Sequence, residues 1–250
     1  MATRILVGDC RDTLDRLVAP GSIHCCVTSP PFLGLRSYLP DDHPMKNREI
    51  GVARAVGTDH RSMLDHYVSS LVDVFRSVRR VLRDDGVVFL ELGDTYIGTV
   101  CKKSPRAKDL MGVPWRTAFA LQDDGWHLRQ DIVLHRRNPT PAPLTDRCVS
   151  AHTFLFLLTK SLDYRFDHLA IREPAVESKS NNTRRRLADG TRGRPADHLG
   201  SSIPWSNQGQ GRNRRDVWTE ERRPMARLRH DLTPEQRARV VNELVARGFL

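Results

Sequence analysis

No run of apolar residues in the chain approaches the roughly 18 that a membrane span requires. The opening residues, Met1-Ala2-Thr3-Arg4, lack the layout of a secretory signal, and a soluble cytoplasmic protein is the expectation. Cysteine is scarce. Cys10, Cys25, Cys26, Cys101 and Cys148 are odd in number and include no Cys-x-x-Cys, which sets aside both a disulfide framework and a zinc knuckle. No internal repeat is visible, and no metal site is expected. Acidic residues fall short as well, 30 against 40 Lys plus Arg, for a net charge of +10. Eight of these ten charges lie between Lys179 and Arg229, where 13 basic residues face 5 acidic ones. Such an excess suits a polyanionic partner, because Arg and Lys contacts to phosphate dominate nucleic-acid affinity.

With 250 residues the chain is long enough to bury one sizeable core. Arg4-Ile5-Leu6-Val7-Gly8-Asp9 reads as a short buried strand, and Leu14, Leu17 and Val18 then recur at helical spacing until Pro20-Gly21-Ser22. Ile23 to Val27 is the next strand, giving the β-α-β unit of a parallel sheet. Residues 33–61 hold no period and carry Pro40, Pro44, Gly51 and Gly57, as a long loop would. An apolar stripe through Leu64, Tyr67, Val68, Leu71, Val74, Phe75 and Val78 predicts a helix over about 62–83, stopped by Asp84-Asp85-Gly86. Strands are expected over 87–92, 126–134 and 152–159, with a helix from Pro114 to about Asp124. Beyond about Val176 the periodicity ends, and Thr233-Pro234-Glu235 opens a last amphipathic helix.

The second strand runs directly into Thr28-Ser29-Pro30-Pro31-Phe32. Two prolines fix two φ angles and remove two N–H groups, so the carbonyls of Ser29 and Pro30 are rigid acceptors. Together with the Ser29 hydroxyl they can receive the N–H groups of an exocyclic amine, while Phe32 offers a ring face to a planar heterocycle. Ser-Pro-Pro is also an ordinary rigid turn. Its position at a strand's carboxyl end, where open α/β sheets bind ligands, favours the chemical reading.

With Gly8-Asp9 after the first strand and this clamp after the second, the chain resembles the DNA amino-methyltransferases of the cytosine-N4 and adenine-N6 type. Collinear matches include Leu92-Gly93-Asp94-Thr95-Tyr96, Gly112-Val113-Pro114-Trp115-Arg116, Asn138-Pro139-Thr140-Pro141, Phe156-Leu157-Leu158-Thr159-Lys160 and Arg212-Asn213-Arg214-Arg215-Asp216-Val217-Trp218. The resemblance implies a doubly wound, Rossmann-like α/β methyltransferase sheet over 1–175, a basic flexible DNA-contacting segment over 176–229 and a terminal helix over 230–250. It implies S-adenosylmethionine as cofactor and double-stranded DNA as partner. Ser29, Pro30, Pro31 and Phe32 would be catalytic, holding a flipped base. Asp9, Thr28, Gly93 and Asp94 would line the cofactor pocket, although a structural turn is a competing role for Gly93-Asp94. Arg136, Asn138, Arg184, Arg185, Arg186, Arg212, Arg214 and Arg215 would contact DNA. A Ser rather than an Asp before Pro-Pro favours cytosine N4 over adenine N6.

The chain departs from the family at Leu134, where relatives usually have Trp, and at Glu91, where Asn is expected. The larger departure is the Asp-Pro-Phe-x-Gly-x-Gly loop that binds the methionine part of the cofactor, for which nothing here matches, so the sheet is expected to be incomplete. Three readings remain: a methyltransferase whose missing loop is supplied by a second polypeptide or by residues lost from this chain, a nucleic-acid-binding module without chemistry, and a truncated, inactive remnant.

Overall fold

Side chains three and four residues apart on one helix share a face, and this spacing builds the core. Leu64, Tyr67, Leu71, Phe75 and Val78 all point inward from α2 (His60–Val81), which begins where the Asp59 carboxylate accepts from the Ser62 N–H. The computed structural model of the protein describes residues 4–52, 59–139, 141–173 and 213–219. Before α2 come α1 (Cys10–Leu17) and β1 (Ile23–Thr28). After it follow β2 (Leu82–Leu92), the single turn α3 (Ile97–Val100), α4 (Val113–Asp123), β3 (His127–His135), β4 (His152–Thr159) and β5 (Val217–Thr219). Pro114 sits in the first turn of α4, where its missing N–H costs nothing, and Gly125 with φ +96° follows the helix.

The five strands form one mixed sheet in the order β1-β2-β4-β3-β5. β1 is parallel to β2 and β5 to β3, while β4 runs antiparallel between β2 and β3. The α/β class and the Rossmann-like frame therefore stand. Val88, Leu90 and Leu92 of β2 and Phe156 and Leu158 of β4 are sealed against α2 and α4. Phe75 meets Trp126 edge-on at 6.2 Å, and Trp115 of α4 meets Phe156 at 5.3 Å. Among the described residues the long helices share one face of the sheet, and no helix is long and apolar enough to cross a membrane. On the other face, Phe166 and Ile171 from irregular segments and Trp218 of β5 line one cavity with Phe89 and Leu157.

Two expectations are corrected. Residues 4–7 are not a strand: they pair with nothing in the sheet, and Ile5 and Val7 are 66% and 90% exposed. A strand exists only through its neighbour, and among the described residues β1 has a neighbour on one side alone, β2. Asp84-Asp85-Gly86 also does not stop α2, which ends at Val81. The tripeptide lies inside β2 as an irregularity opposite His24, between the pairs Ile23–Leu82 and Cys25–Val87. The basic segment from 176 and the terminal helix fall almost entirely outside the described residues.

Phe75 is 1% exposed and touches both the sheet and Trp126. Phe75→Ala is expected to cost about 3–5 kcal/mol. Urea unfolding followed by tryptophan fluorescence measures this, and a loss below 1 kcal/mol would remove Phe75 from the core.

Candidate active site

Because β1, β2 and β3 run the same way, their carboxyl ends meet at one rim of the sheet. Thr28 to Phe32 continue β1, Gly93 and Asp94 continue β2, and Arg136 to Asn138 continue β3. Ser29 is exposed and Pro30, Pro31 and Phe32 are half-buried. The clamp is anchored from behind. The hydroxyl of Tyr67, a residue 2% exposed, donates to the Pro31 carbonyl at 2.9 Å, and burial pushes its pKa up so that it remains a donor. Gly51, with φ +91°, comes so close that an added Cβ would stand 3.1 Å from the Pro31 oxygen. The Tyr67 hydroxyl thus engages the Pro31 carbonyl, which is not one of the pair, Ser29 and Pro30, expected to receive an amine.

The loop over 33–52 folds back onto this motif. The Gly34 N–H donates to the Gly51 carbonyl at 2.8 Å. Glu49 gathers the N–H groups of Tyr38 and Leu39, the Ser37 hydroxyl and the Lys46 ammonium. Its burial opposes ionisation, yet these donors outweigh it and hold its pKa at about 2.

The expected cofactor residues fall into two groups. Thr28 lines a groove of about 650 Å³ that runs from the clamp along β1, with Leu6 and Leu14 on one wall, Cys25 and Val27 on the other and Phe75 of α2 at its base. Asp9 is the N-cap of α1 and stands beside this groove. Its carboxylate takes the Arg11 Nη2 at 2.6 Å and the Arg48 Nε at 3.1 Å, and the Arg11 contacts above all hold it below the usual carboxylate range. Gly93 and Asp94 lie elsewhere, behind Phe32. A Cβ on Gly93 would come within 2.6 Å of the Phe32 ring. Asp94 accepts from the backbone N–H groups of Thr95, Gly112 and Val113 at 2.8, 3.1 and 3.0 Å, and so bonds the start of α4. Burial raises its pKa in spite of those three donors.

The basic residues are likewise divided. Arg136 and Asn138 are exposed at the clamp end of the sheet, with an Arg136 Nη2 4.0 Å from Glu91. Arg214 and Arg215 precede β5 and lie beside the middle of β3, at the sheet margin farthest from β1 among the described residues, Arg214 over the Trp218 ring at 4.5 Å and Arg215 3.4 Å from Glu173. Arg184, Arg185, Arg186 and Arg212 lie outside the described residues.

Residues 23–239 match the family described as DNA methylase. The chain belongs to this family. It is 37% identical to the type II methyltransferase M.SmaI of Serratia marcescens, over 73% of this chain and 64% of that protein. It is 40% identical to M.XycI of Xanthomonas campestris pv. cyanopsidis, over 71% of this chain and 61% of that protein. The chain thus spans somewhat under two thirds of the length of these relatives. Among solved structures it is similar to the PvuII DNA methyltransferase (cytosine-N4-specific), with 17% identity, a TM-score of 0.49 and coverage of 76% of this chain and 64% of that one.

In this member of the family, three contributors to the site were not singled out by sequence reasoning: Tyr67, Gly51 and Glu49. Tyr67 carried one signal. Within a stripe of purely apolar side chains it alone ends in a hydroxyl, which must find a partner when buried.

At Gly93-Asp94 the geometry gives both residues contacts within the chain itself, to Phe32 and to the start of α4. Gly93→Ala drives a methyl group into Phe32 and is expected to cost about 1–3 kcal/mol by overpacking. Asp94→Asn turns an amide donor toward one of three N–H groups, at a similar cost of about 1–3 kcal/mol. Both losses appear as lower urea midpoints; an unchanged midpoint in Asp94→Asn would return Asp94 to the candidate cofactor ligands.

Proposed function

We propose that this chain is the base-holding part of a site-specific DNA methyltransferase that moves a methyl group from S-adenosylmethionine to the exocyclic amine of a flipped base, namely cytosine N4. The observation that carries this reading is a rigid clamp, backed by Tyr67 and Gly51, at the mouth of a groove of about 650 Å³. A base must leave the stack before its amine can enter such a clamp. The Ser29 hydroxyl and the Pro30 carbonyl would accept the two amine hydrogens, turn the nitrogen lone pair outward and stabilise the positive charge that develops on nitrogen. Phe32, its ring edge against Gly93, would stack on the base. These are positioning and preorganised-dipole effects, and the proton that the methylated amine must lose would pass from the exposed Ser29 side to solvent.

The groove suits one side of the cofactor. Its largely apolar lining beside Thr28 matches a planar heterocycle, and Asp9, held by two arginines, would stand at its edge. When bound, S-adenosylmethionine supplies the electrophilic methyl group. The glycine-rich loop expected for its methionine end has no counterpart in the sequence, and a second polypeptide is proposed to bring it. Double-stranded DNA would be held by Arg136 and Asn138 near the clamp, and by Arg184, Arg185, Arg186, Arg212, Arg214 and Arg215. Ser29 in place of Asp supports cytosine over adenine.

The test uses the chain beside a complementing polypeptide, duplex DNA and labelled cofactor, with the modified base identified by mass spectrometry. Ser29→Ala is expected to lower methylation by about 10²–10³-fold and to leave DNA affinity within twofold. Normal methylation by that variant would overturn the clamp assignment, N6-methyladenine as product would overturn the cytosine assignment, and DNA binding without methylation under any complementation would favour a non-catalytic module. Neutralising Arg184, Arg185 and Arg186 together is expected to weaken DNA binding and flatten the plot of log K against log salt by about 2.7, if each meets one phosphate; an unchanged slope would remove them from the DNA contacts.

A further inference from the structure

Three arginines from separate elements converge at the clamp side of the sheet. Arg61 lies in the first turn of α2, Arg116 at the start of α4, and Arg106 in the loop 101–110 that follows α3. All three are exposed, and they line one cleft of about 280 Å³ whose floor includes buried Leu64, Ile97 and Met111. The one carboxylate in its lining is Asp65, and His60 faces the Asp59 carboxylate at 3.2 Å. Asp59 and Asp94 serve as caps of the two helices, and Asp109 takes the Arg106 Nε at 2.6 Å. The Arg116 Nε donates to the Met111 carbonyl at 3.0 Å, which fixes that guanidinium at the wall. Positive charge over apolar walls concentrates the field that an anion meets.

The loop extends this charge toward the clamp. It carries Lys102, Lys103, Arg106 and Lys108 against Asp109 alone, and Lys102 and Lys103 are exposed. Its base is tied where β2 stops, because the Ile97 and Gly98 N–H groups donate to the Asp109 and Ala107 carbonyls at 2.9 and 2.8 Å. A Cβ on Gly34, two residues past Phe32, would stand 2.5 Å from Val100, so this base touches the segment leaving the clamp. On α2, Arg61 and Tyr67 are about 9 Å apart along the axis, and Tyr67 holds Pro31.

We propose that this cleft is a site for the DNA backbone: Arg61, Arg106 and Arg116 hold one phosphate beside the base in the clamp, and Lys102 and Lys103 meet the next along the strand. The inference rests on DNA as the substrate of the clamp and adds a contact outside the residues assigned to DNA above. Extruding a nucleotide rotates its backbone, and a fixed neighbouring phosphate gives that rotation its pivot. The planar guanidinium fork matches two phosphate oxygens at once. Exposed guanidiniums on three elements suit a polymer lying across the surface better than a small anion enclosed within it.

The whole chain is titrated into a fluorescent duplex at several salt concentrations, with binding read by anisotropy. Arg61→Gln with Arg106→Gln is expected to flatten the plot of log K against log salt by about 0.9, the value of one phosphate. Lys102→Gln with Lys103→Gln is expected to do the same. Asp65→Asn removes the opposing charge and is expected to tighten binding about twofold, an effect that misfolding cannot produce. Arg16→Gln with Arg83→Gln takes two exposed charges from the opposite rim and is expected to leave the slope unchanged. An equal flattening in this control pair would assign the effect to net charge and overturn the site, as would an unchanged slope in the Arg61 and Arg106 pair. Either result leaves the clamp reading untouched, whereas a parent chain that binds no duplex overturns the DNA reading and this site together. Inorganic pyrophosphate is titrated in parallel by calorimetry. Saturable binding that the Arg61 and Arg106 pair loses, with the DNA slope unchanged, would make the cleft a small-anion site and overturn the backbone assignment.

Discussion

The hydrogen bond from the Tyr67 hydroxyl to the Pro31 carbonyl joins the core of the protein to the proposed clamp. Tyr67 lies two turns into α2, on the same stripe as Leu71 and Phe75, so its ring is fixed by the packing that stabilises the fold. Its hydroxyl then fixes one carbonyl of a backbone that two prolines have already stiffened. The remaining acceptors are oriented without needing contacts of their own. A rigid element carried on a packed helix holds geometry better than a loop alone, and catalysis by positioning demands that. The fold around 33–52, with Gly51 pressed on Pro31 and Glu49 closing the loop, adds a second brace from the opposite direction.

Much of the frame was legible in the residue pattern. The stripe from Leu64 to Val78, Pro114 at a helix start and the apolar runs of β1, β2 and β4 each produced the element expected. What failed depended on partners distant in sequence. Arg4-Ile5-Leu6-Val7 has the composition of a strand, but strand structure comes from pairing, and no local signal records a missing neighbour. Asp84-Asp85-Gly86 looks like a helix stop and instead widens a strand, because β1 lies alongside to pair with the residues on both sides of it.

The site divides in the same manner. Ser29 to Phe32 stands out as a candidate because the motif is contiguous in the chain. Asp94 was ambiguous because its partners, Gly112 and Val113, lie 18 and 19 residues ahead. Asp9 is expected beside a cofactor, and its pairing with Arg48, 39 residues away, as well as with Arg11 has no local signal in the sequence. In each case the residue type was informative and the partner was not, since burial and long-range pairing decide whether a carboxylate binds a ligand or its own chain.

The irregularity opposite His24 carries a consequence for the clamp. Between the pairs Ile23–Leu82 and Cys25–Val87, β1 advances two residues while β2 advances five. Parallel strands are otherwise free to compete among registers one residue apart, each reversing which side chains face inward. Here such a shift would have to carry the surplus residues past their only accommodating position, so the alignment is locked at the far end of the strand. Thr28 opposite Leu90 is the last pair before Ser29. The clamp's orientation is thus indexed by a length mismatch at the opposite end of β1, much as a key is aligned by its shoulder and not by its teeth.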